Sequence, residues 1–155
     1  MPVQRLKEYL DREGVPYTIV THPPAYTAQE TAAAAHVSGQ ELAKTVIVKL
    51  DGRMAMVVLP ANHRVDLNHL KHAVGADRVE FATEEEFASA FPECDLGAMP
   101  PFGNLFGMRT LVEDDLALDE TIAFNAGSHT ELMRLAYTDY ERLAQPEIFD
   151  GPERR

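Results

Sequence analysis

The sequence predicts a mixed α/β domain built on a curved, largely antiparallel sheet, open or curled into a barrel, with helices around it. Three observations carry this. Helical apolar spacing interleaves irregularly with short β-rich runs, not as a strict alternation of strand and helix. A hairpin signature stands early, where Asp51-Gly52 separates the run Ala43 to Leu50 from the run Met54 to Leu59. Strand-like runs then cluster late, at Arg109 to Val112, Thr121 to Asn125 and Glu131 to Tyr137.

The elements follow in order. Val3, Leu6 and Leu10 keep helical spacing and Gly14 supplies a stop, so a first helix is expected from about Val3 to Glu13. Tyr17 to Val20 reads as a strand, broken by His22-Pro23-Pro24. Thr27-Ala28-Gln29-Glu30 fits the reciprocal N-terminal cap, opening a helix that runs to about His36. The same pattern recurs at Ser38 to Glu41, Thr83 to Glu86 and Thr138 to Glu141, and each is expected to start a helix. Past the hairpin, Pro60 ends the strand, Asp66 caps a helix that turns Leu67, Leu70 and Val74 inward, and Gly75 closes it. Arg78 to Phe81 reads as a strand, followed by a helix with Phe87 and Phe91 inward that ends at Pro92. Cys94 to Met108 is a glycine- and proline-punctuated loop of unusually apolar content. A last helix follows Thr138, and the tail from about Pro146 is expected to fray.

At 155 residues the chain fits one domain, 1–155, with 45% apolar and 25% charged residues, as in ordinary globular proteins. No run is long enough to span a membrane and no signal segment opens the chain. The single cysteine, Cys94, excludes an internal disulfide and suits a reducing compartment, so the cytoplasm is the default location. A net charge of −11 argues against a free-standing DNA or RNA binder, because non-specific affinity comes from cations displacing counterions. Any nucleic-acid contact must be local.

Lys44 is the odd residue in the hairpin. Strand alternation puts it on a face with Val46, Val48 and Leu50, while Thr45, Ile47 and Lys49 take the other, where Lys49 fits a solvent edge. An ammonium opening an apolar row needs an anionic or hydrogen-bonding partner. It either snorkels to water or waits at a cavity mouth for a phosphate or carboxylate.

Three other stretches offer chemistry. In Gly97-Ala98-Met99-Pro100-Pro101-Phe102-Gly103, glycine permits close backbone approach and the prolines hold shape, so the loop suits shaping a pocket or simply crossing the surface. Phe124 to Thr130 carries Asn125, Ser128 and His129 around Gly127. Without a nucleophile elbow, His129 suits pocket hydrogen bonding better than serine hydrolysis. His63, His69 and His72 raise a metal-dependent hydrolase as a rival, but no strong zinc pattern accompanies them, and the last two fall on the solvent side of their helix. Cys94 has no cationic neighbour in sequence to activate it.

Together, the lysine strand, the Gly97 to Pro101 loop and the Asn125 to His129 turn resemble the YbaK-like aminoacyl-tRNA editing family. That family includes the insertion domain of bacterial prolyl-tRNA synthetase and its free-standing relatives. The resemblance covers about Val3 to Tyr140 and implies the YbaK fold. It also implies hydrolysis of the ester joining a wrong amino acid to tRNA, in the service of translation fidelity, with no metal or organic cofactor. The family lysine falls on Lys44, its Gly-x-x-x-Pro loop on Gly97 and Pro101, and its late pocket histidine on His129, with Ser128 beside it. Lys44 and Gly97 would then engage the acceptor end of a mischarged tRNA, with substrate groups assisting the attack. Thr27, Ala28 and Thr31 would line a pocket for a small residue such as alanine, serine, cysteine or threonine. The acidity of the chain points to delivery by a synthetase or another partner. The rival of a different class is a non-catalytic module that binds a nucleotide or aminoacyl group for regulation.

Overall fold

The computed structural model describes residues 3–152. Its centre is a mixed sheet of eight strands flanked by five short α-helices: α1 (Gln4–Arg12), β1 (Thr18–Thr21), α2 (Ala28–Ala35), β2 (Leu42–Leu50), β3 (Arg53–Pro60), α3 (Leu67–Val74), β4 (Val79–Phe81), α4 (Glu84–Phe87), β5 (Arg109–Glu113), β6 (Thr121–Ser128), β7 (Glu131–Ala136), α5 (Tyr137–Ala144) and β8 (Glu147–Phe149). The order is β1-β7-β6-β2-β3-β5-β8, with β4 also on β2. The four pairings β1–β7, β6–β7, β2–β3 and β2–β4 are antiparallel, and β2–β6, β3–β5 and β5–β8 are parallel. The path runs from β1 to β8 without closing, so of the two expected forms it is the open sheet.

The hairpin turns through Asp51 and Gly52, both at positive φ, which keeps the twist of the flanking strands. The Asp51 carboxylate also accepts the amides of Asp77 and Arg78, pinning the approach to β4. Beyond this turn β2 is the hub. Along one edge it pairs with β3 from Ala43 to Leu50; along the other, β6 takes only Leu42 and Ala43, and β4 takes Val48 to Leu50. The neighbouring strand therefore changes just where Lys44 sits.

Both faces of the hairpin are covered. Ala43, Ile47, Met56 and Val58 join the larger core under α1, α5 and the 98–106 loop, while Val48, Leu50, Ala55, Val57 and Leu59 pack with Leu70 of α3 and Phe149 of β8. The alternation is as expected, and Lys49 reaches the solvent edge between Glu86 and Glu80, while Ile47 on the same face is buried.

Three further expectations are corrected. The Ser38 oxygen accepts the Glu41 amide, yet only one turn forms, because the apolar run from Leu42 enters the sheet. The pattern at Thr138 caps nothing. Helix α5 begins two residues earlier than that pattern implies, with Ala136 at its N-cap, which puts Tyr137 and Tyr140 into the core. The tail does not fray at Pro146: β8 pairs in parallel with β5, and Arg109 donates two hydrogen bonds to Glu147, each 2.8 Å. The caps at Thr27 and Thr83 form reciprocally as read, although α4 gives way after one turn to a 3₁₀ turn at Ala88–Ala90.

Candidate active site

Lys44 opens into a cleft of about 270 Å³ lined by Thr27, Ala28, Gln29, Ala61, Asn62, His63 and Arg64. Strand β2 supplies the lysine, the start of α2 one wall, and the turn after β3 the other. Partial burial holds the Lys44 ammonium below the usual lysine range; Arg64 adds to that, and Glu113 pulls the other way. Two cations therefore share one cleft in a chain of net charge −11, an arrangement suited to receiving an anion. Thr31 is buried one turn behind, its hydroxyl donating to the Thr27 carbonyl at 2.8 Å, so it supports the wall from within.

Gly97 and His129 meet in a second cluster. The β6–β7 ladder bulges between Asn125 and Ser128, and Gly127 sits there at a φ of 109°. The loop bonds to this bulge from both sides: the Gly127 amide donates to the Ala98 carbonyl at 2.9 Å, and the Asp95 amide to the Gly127 carbonyl at 2.8 Å. His129 Nε2 donates to the Leu96 carbonyl at 3.0 Å, and its ring lies 4.9 Å from that of exposed Tyr26. Gly97 adopts a φ of 90°, and a Cβ there would lie 3.6 Å from the His129 ring. Ser128 turns instead toward the Thr130 hydroxyl at 3.3 Å, so no Ser–His pair forms. Pro101 is buried, and its carbonyl accepts the Tyr140 hydroxyl at 2.8 Å, so at that point the loop belongs to the core. Tyr26 and Thr27 are consecutive, so one stretch of chain links the two clusters.

The metal trio considered from sequence does not assemble. His69 reaches the Asp150 carbonyl at 2.6 Å and His72 the Asn68 carbonyl of its own helix at 2.8 Å. His63 instead donates from Nδ1 to Glu113 at 2.6 Å, with Nε2 3.8 Å from Asp115. Ligand atoms of His63, Glu113 and Asp115 lie within 4.8 Å of one another, but the two carboxylates face opposite nitrogens of the ring. Burial, with Glu93 adding, pushes the Cys94 thiol up to about 11, which disfavours the nucleophilic thiolate.

Sequence reasoning missed Arg64, Tyr26 and above all Glu113, which ends β5 like any acidic strand terminus. Only the pairing of β3 with β5 brings it under the turn that carries His63.

The aminoacyl-tRNA editing domain model matches residues 22–143, which takes in Lys44, the Gly97 loop and the His129 turn. The chain belongs to this family. Among its relatives is the multifunctional Ser/Thr-tRNA deacylase ProXp-y of Escherichia coli K12, 32% identical over 154 residues, covering 94% of this chain and 89% of that one. The prolyl-tRNA editing protein ProX of Acetoanaerobium sticklandii is 25% identical over 88% of this chain and 86% of its own length. A proline–tRNA ligase of Staphylococcus saprophyticus is 33% identical over 86% of this chain, which spans only 23% of that enzyme. In fold the chain is similar to a candidate trans-editing enzyme for prolyl-tRNA synthetase, with a TM-score of 0.82 at 21% identity, covering 97% and 96% of the two chains. Among the described residues no helix is long and apolar enough to cross a membrane.

Proposed function

We propose that this chain acts, as one domain, as a trans-editing hydrolase in the cytoplasm, cleaving the ester between tRNA and a wrongly attached small amino acid. The observation that carries this is the 32% identity running through nearly the full length of both this chain and a Ser/Thr-tRNA deacylase. The geometry fits the reading. Lys44 and Arg64 supply the charge to receive a phosphate of the tRNA acceptor end, where a charge-assisted contact is worth about 1.5–3 kcal/mol. Thr27 and Ala28, with Thr31 behind them, form a wall of small side chains that favours a small substrate residue. Gly97, free of a side chain and beside His129, on whose ring Tyr26 packs, allows the acceptor strand to approach the backbone closely. Pro101 keeps that loop anchored to Tyr140. Ser128 helps to shape the turn that presents His129.

A synthetase or another carrier is the expected delivery partner, since the net charge of −11 opposes strong capture of free tRNA. The test is deacylation by the purified chain over a panel of tRNAs charged with alanine, serine, cysteine, threonine and their cognate amino acids. Hydrolysis of one or more mischarged species, with cognate species spared, is the expected result. A chain that binds aminoacyl-tRNA but hydrolyses none of the panel would be a binding module instead.

A further inference from the structure

We infer that Asn125 is a hydroxyl-binding residue of the Lys44 site, its side-chain oxygen accepting a hydrogen bond from a hydroxyl of the bound aminoacyl-ribose. The inference rests on the deacylase reading above and adds a recognition element to it. Asn125 is 9% exposed, and its Oδ1 is buried and accepts no hydrogen bond among the described residues. A buried acceptor left unpaired costs stability, and an apolar side chain of the same shape would not. The surroundings are otherwise apolar: Ala123 precedes Asn125 on the same face of β6, and Leu132 stands opposite it on β7. An acceptor in that setting is explained by a donor that arrives with a ligand.

The place of Asn125 in the sheet gives that donor a way in. Among the described residues β6 pairs with β2 in parallel at Leu42 with Ala123 and Ala43 with Phe124, and no further. One step along both strands come Lys44 and Asn125, on the face that Leu42 and Ala123 share. The register therefore sets the two side by side where the ladder stops, and Lys44 leaves the Asn125 oxygen unclaimed. Ala28 packs on this face and also lines the Lys44 cleft, so the floor beneath α2 continues into the cleft. The charge nearby selects the kind of donor. Lys44 and Arg64 already place two cations in the cleft, so an ammonium group would be repelled there, and a neutral hydroxyl is not. An aminoacyl ester on tRNA brings two such groups: the ribose hydroxyl beside the ester, and the side-chain hydroxyl of serine or threonine where one of these is attached. To an amide oxygen both are the same chemistry.

The experiment measures binding, so that recognition is read apart from hydrolysis. The probes are acceptor-stem RNAs whose aminoacyl group is joined to the terminal ribose by an amide in place of the ester: one seryl, one alanyl, and one seryl that lacks the ribose hydroxyl beside the linkage. Each is titrated against the full chain and against Asn125→Leu, which matches asparagine in shape, and Asn125→Ala, which adds no volume. In the wild type, loss of the hydroxyl that Asn125 holds should weaken binding about tenfold or more. In both variants the same loss should change binding less than about twofold. Coupling to the alanyl probe assigns the side-chain hydroxyl, and coupling to the deoxyribose probe assigns the ribose. Asn125→Leu should melt at or above the wild-type temperature, because it removes an unpaired acceptor and no bond. Thr45 Oγ1 is also buried and unpaired but lies on the opposite face of β2, so Thr45→Val is the control and should bind all three probes like the wild type. Equal losses on all three probes in the Asn125 variants, no loss at all, the same pattern in Thr45→Val, or no binding of any probe by the wild type overturns the inference. Hydrolysis of the ester panel by the same wild-type preparation leaves the deacylase reading standing in each of those cases. A wild type that shows the couplings but is inert on the ester panel overturns the deacylase reading alone.

Discussion

Replacing Lys44 separates function from stability in opposite directions, and both magnitudes follow from its surroundings. Lys44 is half-buried and makes no hydrogen bond or ion pair among the described residues, so on the proposed reading its charge is the one that meets a substrate phosphate. Losing a charge-assisted contact of about 1.5–3 kcal/mol in Lys44→Ala should slow deacylation roughly ten- to more than a hundredfold. Stability should not fall. A lysine whose folded-state pKa lies below its unfolded value of 10.5 costs stability while charged. The cost is present at neutral pH and is relieved as pH rises from the folded pKa toward the unfolded one. Half-exposure screens it to under about 1 kcal/mol, or a rise of at most about 4 °C in melting temperature for Lys44→Met. That rise should shrink as the pH approaches 10.5. Lys49→Ala on the opposite face is the control: it parts from Glu86 and Glu80 but should keep full activity. Differential scanning fluorimetry from pH 7 to 10, with deacylation rates on the same samples, tests the whole argument. Normal activity in Lys44→Ala, or equal loss in Lys49→Ala, would refute the placement of this strand at the active site. A marked drop in melting temperature for Lys44→Met would refute the account of its charge.

Other outcomes follow from single residues. Gly97→Ala meets only an ordinary contact with His129 but strains a φ of 90°, so it should cost about 1–2 kcal/mol of stability, while kcat falls further than the folded fraction explains. A loss of activity that tracks unfolding would make the loop mere scaffold. Gly103→Ala would drive a Cβ to 2.5 Å from the Met108 carbonyl and against Thr110, and should destabilise by about 1–3 kcal/mol; urea denaturation showing no change would mean that this packing is looser than it looks. The Lys49 hydrogen bond, chiefly, holds the Glu86 carboxyl down at about 2 against an ordinary 4.5. Its stabilising effect is therefore full above pH 4.5 and lost as pH falls through about 2, so the melting temperatures of wild type and Glu86→Gln should converge across that window. A constant gap would show that the ion pair is not the cause. Binding of isolated tRNA should have a salt slope of only a few phosphate contacts, and a steep slope would reveal a basic face.

What was legible in the sequence was what short-range physics decides. The Asp51-Gly52 hairpin, the Thr27 and Thr83 caps and the Gly75 stop are local rules, and each formed. Lys44 was legible because strand parity alone places a cation in an apolar row. The apolar loop was legible as a feature but not as core, because its anchor, Tyr140, lies 39 residues away. The His63–Glu113 pair spans 50 residues and depends on one parallel strand pairing, so nothing in either neighbourhood announces it. Strand β8 was missed for a different reason. Three residues after a proline give too short a pattern to read, and the strand exists because β5 offers an edge and Arg109 a bidentate grip on Glu147.

That short strand has a consequence for how the molecule ages, is trimmed or is joined to others. Just past β8, Gly151 lies so close to Glu113 that a Cβ would come within 2.8 Å of its carboxylate. Three residue pairs, the exposed Arg109–Glu147 ion pair, the buried Phe149 ring and the bonds of Asp150 to His69 and of Gly151 to Asp114 together hold this end down, so any local opening here must break them as a group. Each opening lets water reach Glu113 and loosens the packing over its contact with His63. A protease cut near Pro146, or a fusion that pulls on the C-terminal end, would thus reach the cleft through its floor, without touching a residue that lines it.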